Sequence, residues 1–71
     1  MNSFYAQFQR VLEASGCRTQ FELADFLGVR QAFISDAKRR QIIPDNWCMK
    51  LQETKGINPK WIKTGRGNRI D

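Results

Sequence analysis

The stretch TQFELADFLGVRQAFISDAKRR, residues 19–40, decides the fold that the sequence predicts. At its start, Thr19 and Glu22 form a capping box, in which the threonine hydroxyl accepts from the Glu22 amide while the glutamate side chain reaches back. A helix is therefore expected to begin at about Gln20. Its apolar positions recur at helical spacing and are Leu23, Ala24 and Leu27. Gly28 follows directly, where a residue without Cβ is favoured as a left-handed helix cap.

A second short helix is expected over about residues 31–40, after the apolar Val29. Helix, tight turn and helix together form a helix-turn-helix motif at about residues 20–40. On a helical wheel of about 100° per residue, the arc expected to pack on the first helix holds Phe33, Ile34 and Ala37. The opposite, outer arc holds Gln31, Ala32, Ser35, Asp36 and Arg39.

The outer arc is small, polar and rich in hydrogen-bonding groups, as a helix that reads the major groove of DNA must be. Glutamine bonds adenine bidentately, serine bonds several bases, alanine contacts the thymine methyl group, and arginine suits guanine. Asp36 differs, because phosphates repel a carboxylate unless it accepts from a cytosine amino group or pairs with Arg39 or Arg40. We expect Asp36 to disfavour wrong sequences more than it adds affinity.

Ala37 is small for a position on the packing arc, and it leaves volume unfilled. Phe33 lies one turn earlier on the same arc and is expected to fill that volume. Phe33→Ala should then destabilise the fold by roughly 3 kcal/mol. An unchanged denaturation midpoint would instead place Phe33 on the surface, where it touches DNA.

Part of this sequence resembles the pattern of the helix-turn-helix repressors of temperate bacteriophages. The residues that match are Gln20, Ala24, Gly28, Val29 and Ile34. The wider phrase ISDAKRRQIIPDNW, followed by KL and INPKWIKTG, resembles the N-terminal domain of CI-type phage repressors. The resemblance covers about Phe4 to Gly65, which is much more specific than a bare helix-turn-helix match. It implies an all-α, compact, five-helix domain of lambda-repressor-like fold.

The resemblance also implies a function, namely sequence-specific binding of double-stranded DNA by a phage- or prophage-type transcriptional repressor. Such a repressor occupies an operator and excludes polymerase. In that family a glutamine at the position of Gln20 bonds a phosphate and braces the first residue of the recognition helix, here Gln31. One helix covers few base pairs, so a homodimer is expected on half-sites about 34–36 Å, or a multiple, apart. Many such repressors dimerise through a C-terminal domain, which these residues do not include. The expected location is the bacterial cytoplasm, at the nucleoid.

Charge supports a polyanionic partner, because the 71 residues carry a net charge of +5. The residues expected to contact the DNA backbone are Gln20, Arg30, Lys38 and Arg40. Gln41 and Asn46 are weaker candidates, and Arg10 is expected to be solvated.

Other classes of function find less support in the sequence. Two cysteines without any histidine provide no zinc or haem spacing, so neither a metal nor another cofactor is expected. Glu22 and Asp25 are the one close carboxylate pair on a helical face, and they are expected to be solvated, so no enzyme is predicted. No secretion leader or membrane span is recognisable. The competing interpretation is an antitoxin-like regulator or a protein-interaction module with the same fold.

The rest of the chain is expected to form three more helices, over about residues 3–14, from Pro44 to about 55, and from Pro59 to Gly65. Phe21 and Phe26 lie off the apolar stripe of their helix, so at least one is expected to be partly exposed, and packing against other helices is favoured over contact with a second subunit. The domain is predicted to span residues 1–65, with 66–71 as the start of a linker or disordered tail.

Overall fold

The computed structural model describes residues 3–70, and within them the chain forms five α-helices. The helices are α1 (Phe4–Ser15), α2 (Gln20–Leu27), α3 (Gln31–Arg40), α4 (Asp45–Lys55) and α5 (Pro59–Thr64). The only β-structure in that range is an isolated antiparallel bridge between Ile57 and Ile70. The all-α, five-helix prediction is confirmed.

Helix starts follow the predicted capping pattern with two local differences. The Thr19 hydroxyl accepts from the Glu22 amide at 3.0 Å, as the capping box requires. The Glu22 carboxylate, however, accepts from the amide of Arg18 at 2.7 Å, one residue before the expected partner. Pro44 is the residue before α4 rather than a member of its first turn, and Asp45 is the first helical residue.

The core is built from one fully buried aliphatic side chain of each helix: Val11, Leu23, Ile34, Leu51 and Ile62. Each of these side chains has no exposed surface. Phe8 and Trp47 close the same cluster, with their ring centroids 6.4 Å apart. Because every helix contributes to one cluster, no helix is held by its own hydrogen bonds alone.

The prediction that Phe33 fills the space beside Ala37 is wrong. Ala37 is buried, but 62% of the Phe33 surface is exposed. The space remains as an open groove of about 440 Å³, which Phe33, Ile42 and Trp47 help to line. The reason lies in tertiary packing, because α3 packs mainly on α2 and no other helix between residues 3 and 70 covers its Phe33 side.

The two other aromatic residues of the motif have different surroundings. Phe26 packs partly against the core, and the ammonium group of Lys55 lies 5.9 Å from its ring centroid. Phe21 is 67% exposed and is the one of the two that does not pack, in agreement with its position off the apolar stripe. Tyr5 of α1 is also exposed.

Arg10 has a structural role instead of the expected solvated position. Its Nε donates to the carbonyl of Ile62 at 2.9 Å, across 52 residues of sequence. Its guanidinium group also lies beside Gly65, where an added Cβ would come within 3.1 Å of Nη1. The side chain therefore ties the middle of α1 to the end of α5.

The two cysteines are free thiols. Cys17 is partly buried, whereas Cys48 is in the core. Burial raises the pKa of the Cys48 thiol, although the nearby charge of Lys63 opposes the shift. Cys48 is therefore a neutral, unreactive core residue at neutral pH.

Residues 66–70 lie against the helices. The Asn58 amide donates to the carbonyl of Arg69 at 2.8 Å, and its side chain donates to the carbonyl of Asn68 at 3.0 Å. The Arg69 guanidinium group lies 5.3 Å from the ring centroid of Trp61 and 3.5 Å from the carboxylate of Glu13. The described part of the segment that we expected to begin a linker thus contacts α1 and α5. The predictions for residues 1, 2 and 71 lie outside the described residues.

Gln41 ends α3 with a left-handed backbone, at φ 58° and ψ 45°. Between residues 3 and 70 it is the one non-glycine residue with positive φ, and the other four helices end on glycine. Side chains with a Cβ strain this conformation. We predict that Gln41→Gly raises the free energy of unfolding by about 1 kcal/mol, as measured by urea denaturation.

Gln9→Gly is the matched control, because Gln9 is an exposed glutamine within α1. It should lower the free energy of unfolding by about 1 kcal/mol, since glycine is unfavourable inside a helix. If both substitutions lowered the free energy of unfolding equally, the left-handed backbone of Gln41 would not be strained.

Phe33 and its neighbour Ile34 provide a second test of the fold. Ile34→Ala should lower the free energy of unfolding by about 2–5 kcal/mol, because it opens a cavity in the core. Phe33→Ala should change that free energy by less than about 1 kcal/mol, because most of its ring is in solvent. Similar losses for the two variants, measured by denaturation, would place Phe33 in the core after all.

Candidate nucleic-acid interface

The outer face of α3 presents the residues that the sequence predicted for it. Gln31, Ala32, Ser35 and Arg39 are exposed, and Asp36 is half-buried. The buried side of the helix consists of Ile34 and Ala37. Packing of these two residues on the core therefore turns the polar arc into solvent, as the helical wheel predicted.

Gln20, at the first turn of α2, bridges to the middle of α3. Its Nε2 donates to the hydroxyl of Ser35 at 2.8 Å, and its Oε1 accepts from the ammonium group of Lys38 at 3.3 Å. The resemblance implied a brace between Gln20 and Gln31, but the contacts of Gln20 are with Ser35 and Lys38. Ser35 and Lys38 are three residues apart on one side of α3, so both can face the start of α2.

Lys38 is held between two helices on the flank of α3. Besides its bond to Gln20, its ammonium group lies 5.6 Å from the ring centroid of Phe8 in α1. A cation above an aromatic ring is attracted by the ring electrons. Lys38 therefore places a positive charge beside the outer face rather than in its centre.

Asp36 connects the two arginines that follow it. Its carboxylate forms an ion pair with Arg39, and its second oxygen lies 3.2 Å from Nε of Arg40. Both guanidinium groups remain mostly exposed, so each pair contributes at most about 1 kcal/mol to stability. Their main effect is to orient the two arginines along one side of α3 and to cancel part of their charge.

The start of α3 is open. Arg30 precedes the first turn and its side chain makes no capping hydrogen bond, although its carbonyl accepts from the Phe33 amide at 3.0 Å. Free amides and the positive end of the helix dipole favour an anion such as phosphate. Arg30 is exposed and adds its own charge at this end.

The structure brings together eight of the nine predicted site residues on α3 or directly before it, and links the ninth, Gln20, to them. Sequence analysis missed the apolar side of this surface. Phe33 and Ile42 are exposed beside Arg40, and Asn46 lines the same groove. The sequence gives no direct sign of this surface, because the path of the chain after Gln41 decides whether the Phe33 side of α3 is covered.

Among residues 3–70, no group of three or more histidine, cysteine, aspartate or glutamate side chains is placed to hold a metal ion. No helix in that part of the chain is long and apolar enough to cross a membrane.

Comparison with known proteins identifies the family. The model of the bacteriophage CI repressor helix-turn-helix domain matches residues 6–69. Protein ORFi in retron Ec67 of Escherichia coli is 32% identical over 62 residues, which are 87% of this chain. The chain spans 31% of the length of that relative. No solved structure matches. The chain belongs to the family of bacteriophage CI repressor helix-turn-helix domains.

Proposed function

We propose that the chain binds double-stranded DNA in a sequence-specific manner, with α3 in the major groove. The observation that carries the proposal is the exposed polar face of α3, beside the basic run Lys38–Arg40 and linked to α2 through Gln20. An α-helix with its side chains is about 10–12 Å wide, and the major groove is about 12 Å wide. Membership of the CI repressor family supports a DNA-binding regulator.

Two sets of residues have separate roles in this proposal. Base edges are read by the outer arc, which consists of Gln31, Ala32, Ser35, Asp36 and Arg39. Phosphates are contacted by Gln20, Arg30, Lys38 and Arg40, which surround that arc.

Ser35 gains a defined chemical role from its contact with Gln20. Its oxygen already accepts from Gln20, so its hydrogen is free to point at a base. The O–H donor suits purine N7, guanine O6 or thymine O4, and one lone pair of the oxygen also remains to accept. The Gln20 contact thereby orients the Ser35 hydroxyl and uses one of its two acceptor positions.

Repression would follow from occupation of an operator. Two copies on a two-fold operator would provide the specificity that one short helix lacks, with half-sites about 34–36 Å or a multiple apart. Dimerisation through a C-terminal domain is part of the same proposal. The proposed location is the bacterial cytoplasm, at the nucleoid.

The alternative function is an antitoxin-like regulator or protein-interaction module. The observation that favours it is the exposed apolar surface at Phe21, Phe33 and Ile42. Protein-binding surfaces are enriched in aromatic anchors of this kind. The outer arc of α3, however, holds none of these three residues, so the polar face itself still favours DNA.

The first prediction concerns salt dependence. Arg39→Ala combined with Arg40→Ala should weaken binding and flatten the plot of log affinity against log salt by about 1 unit, because the phosphate contact of Arg40 is lost together with the base contact of Arg39. Titration of a fluorescent duplex at several salt concentrations measures both quantities.

The matched control removes two other exposed cations, with Lys60→Ala and Arg66→Ala, which lie on and after α5. Net charge falls equally, but the salt slope should stay within about half a unit of the wild type. If the slope of log affinity against log salt flattened equally in both double variants, binding would be a non-specific attraction between the net charge of the protein and the DNA. No binding at low salt would contradict the proposed function.

A second prediction concerns Asp36. Asp36→Ala releases Arg39 and Arg40 from their ion pairs, so we expect stronger binding to every duplex and a loss of about 1–3 kcal/mol in discrimination between bases. Competition between a selected operator and its single-base variants measures the discrimination. Glu53→Ala, at an exposed carboxylate of α4, should leave it unchanged. Weaker binding of Asp36→Ala to all sequences would contradict this role.

A further inference from the structure

Phe33 is an exposed aromatic residue in the first turn of the proposed recognition helix. It follows Ala32 of the outer arc and precedes the buried Ile34, so it lies on the flank of α3. Its surface is 62% exposed, and it lines a groove with Ile42 and Arg40. The fold does not require an aromatic ring at this position, because the core closes without it.

The dimensions of the major groove bring this flank into contact with DNA if α3 binds there. The helix is nearly as wide as the groove, so side chains on its flanks face the groove walls. A phenylalanine ring offers no hydrogen bond to a phosphate or a polar base edge. The apolar group that the major groove presents is the C5-methyl group of thymine, and phenylalanine is among the side chains that contact it.

We propose that Phe33, on the flank of α3, reads a thymine methyl group, so that it is a specificity-determining residue. This inference rests on the proposed DNA-binding function. Arg40 lies beside the ring in the same groove, where it can bond a phosphate while the ring contacts the base.

A second copy of the chain is a weaker candidate to cover Phe33. Of the other exposed large apolar side chains, Ile42 lines the same groove, and Phe21 belongs to α2, on which α3 packs. With about 200 Å² for each fully exposed side chain, the three together offer about 400 Å². A stable interface buries about 800 Å² on each partner, so this surface alone would not hold a dimer.

The test uses a duplex that the protein selects from random sequences. Each thymine is replaced in turn by deoxyuridine, which removes only the methyl group. Wild type should lose about four-fold in affinity at one position of each half-site, as expected for one buried methyl group. Phe33→Ala should bind the thymine duplex more weakly and show no further loss at that position.

Phe21→Ala is the matched control, since it removes an equally exposed aromatic ring from α2. It should keep the full deoxyuridine effect. Circular dichroism melting checks that both variants fold, which their exposure predicts.

Three outcomes would overturn the inference. The first is a wild type insensitive to every deoxyuridine, and the second is a Phe33→Ala variant as sensitive as wild type. The third is a variant with unchanged affinity for one half-site that loses only cooperative binding to two, which would identify a contact between copies. Failure of the proposed function looks different, because no sequence would then be selected at any salt concentration.

Discussion

The left-handed turn at Gly28 is the constraint on which the candidate site depends. Its backbone lies at φ 72° and ψ 30°, and the amide of Val29 donates to the carbonyl of Ala24 at 3.0 Å. This bond closes the end of α2 and reverses the chain within two residues. Ala24 is buried at the same end, and its small side chain lets α3 approach closely enough for Ile34 to reach the core. Because Ile34 must point inward, the outer arc of α3 must point outward.

Much of this arrangement could be predicted from the sequence, because its causes are local. The capping residue Thr19, the glycine at 28 and the spacing of apolar residues act over one or two turns, and they placed α2 and α3 correctly. The exposure of Phe33 could not be predicted in this way. Helical periodicity places a residue on an arc, but only the tertiary path decides whether another element covers that arc.

The contacts of Gln20 illustrate the same limit for the site. The family resemblance implies a bracing role for Gln20. Which residue its side chain contacts, however, depends on the position of α2 along α3. Here that position brings Gln20 to Ser35 and Lys38. The contacts of residues 66–70 are equally non-local. They join this segment, which has no helical periodicity, to Asn58 and Glu13. Sequence pattern identifies which residues face outward, whereas the structure identifies which of them already have partners.

The last turn of α3 combines favourable charge interactions with a strained backbone. Lys38, Arg39 and Arg40 lie at the negative end of the helix dipole, which favours them there, and Asp36 pairs with both arginines. The same turn ends on the strained Gln41, where glycine would be more stable. These electrostatic contacts offset part of that strain and keep the basic run helical. A phosphate that bonded Arg40 would compete with Asp36 for the guanidinium group, so the ion pair that orders the last turn also moderates how strongly the helix attracts any DNA.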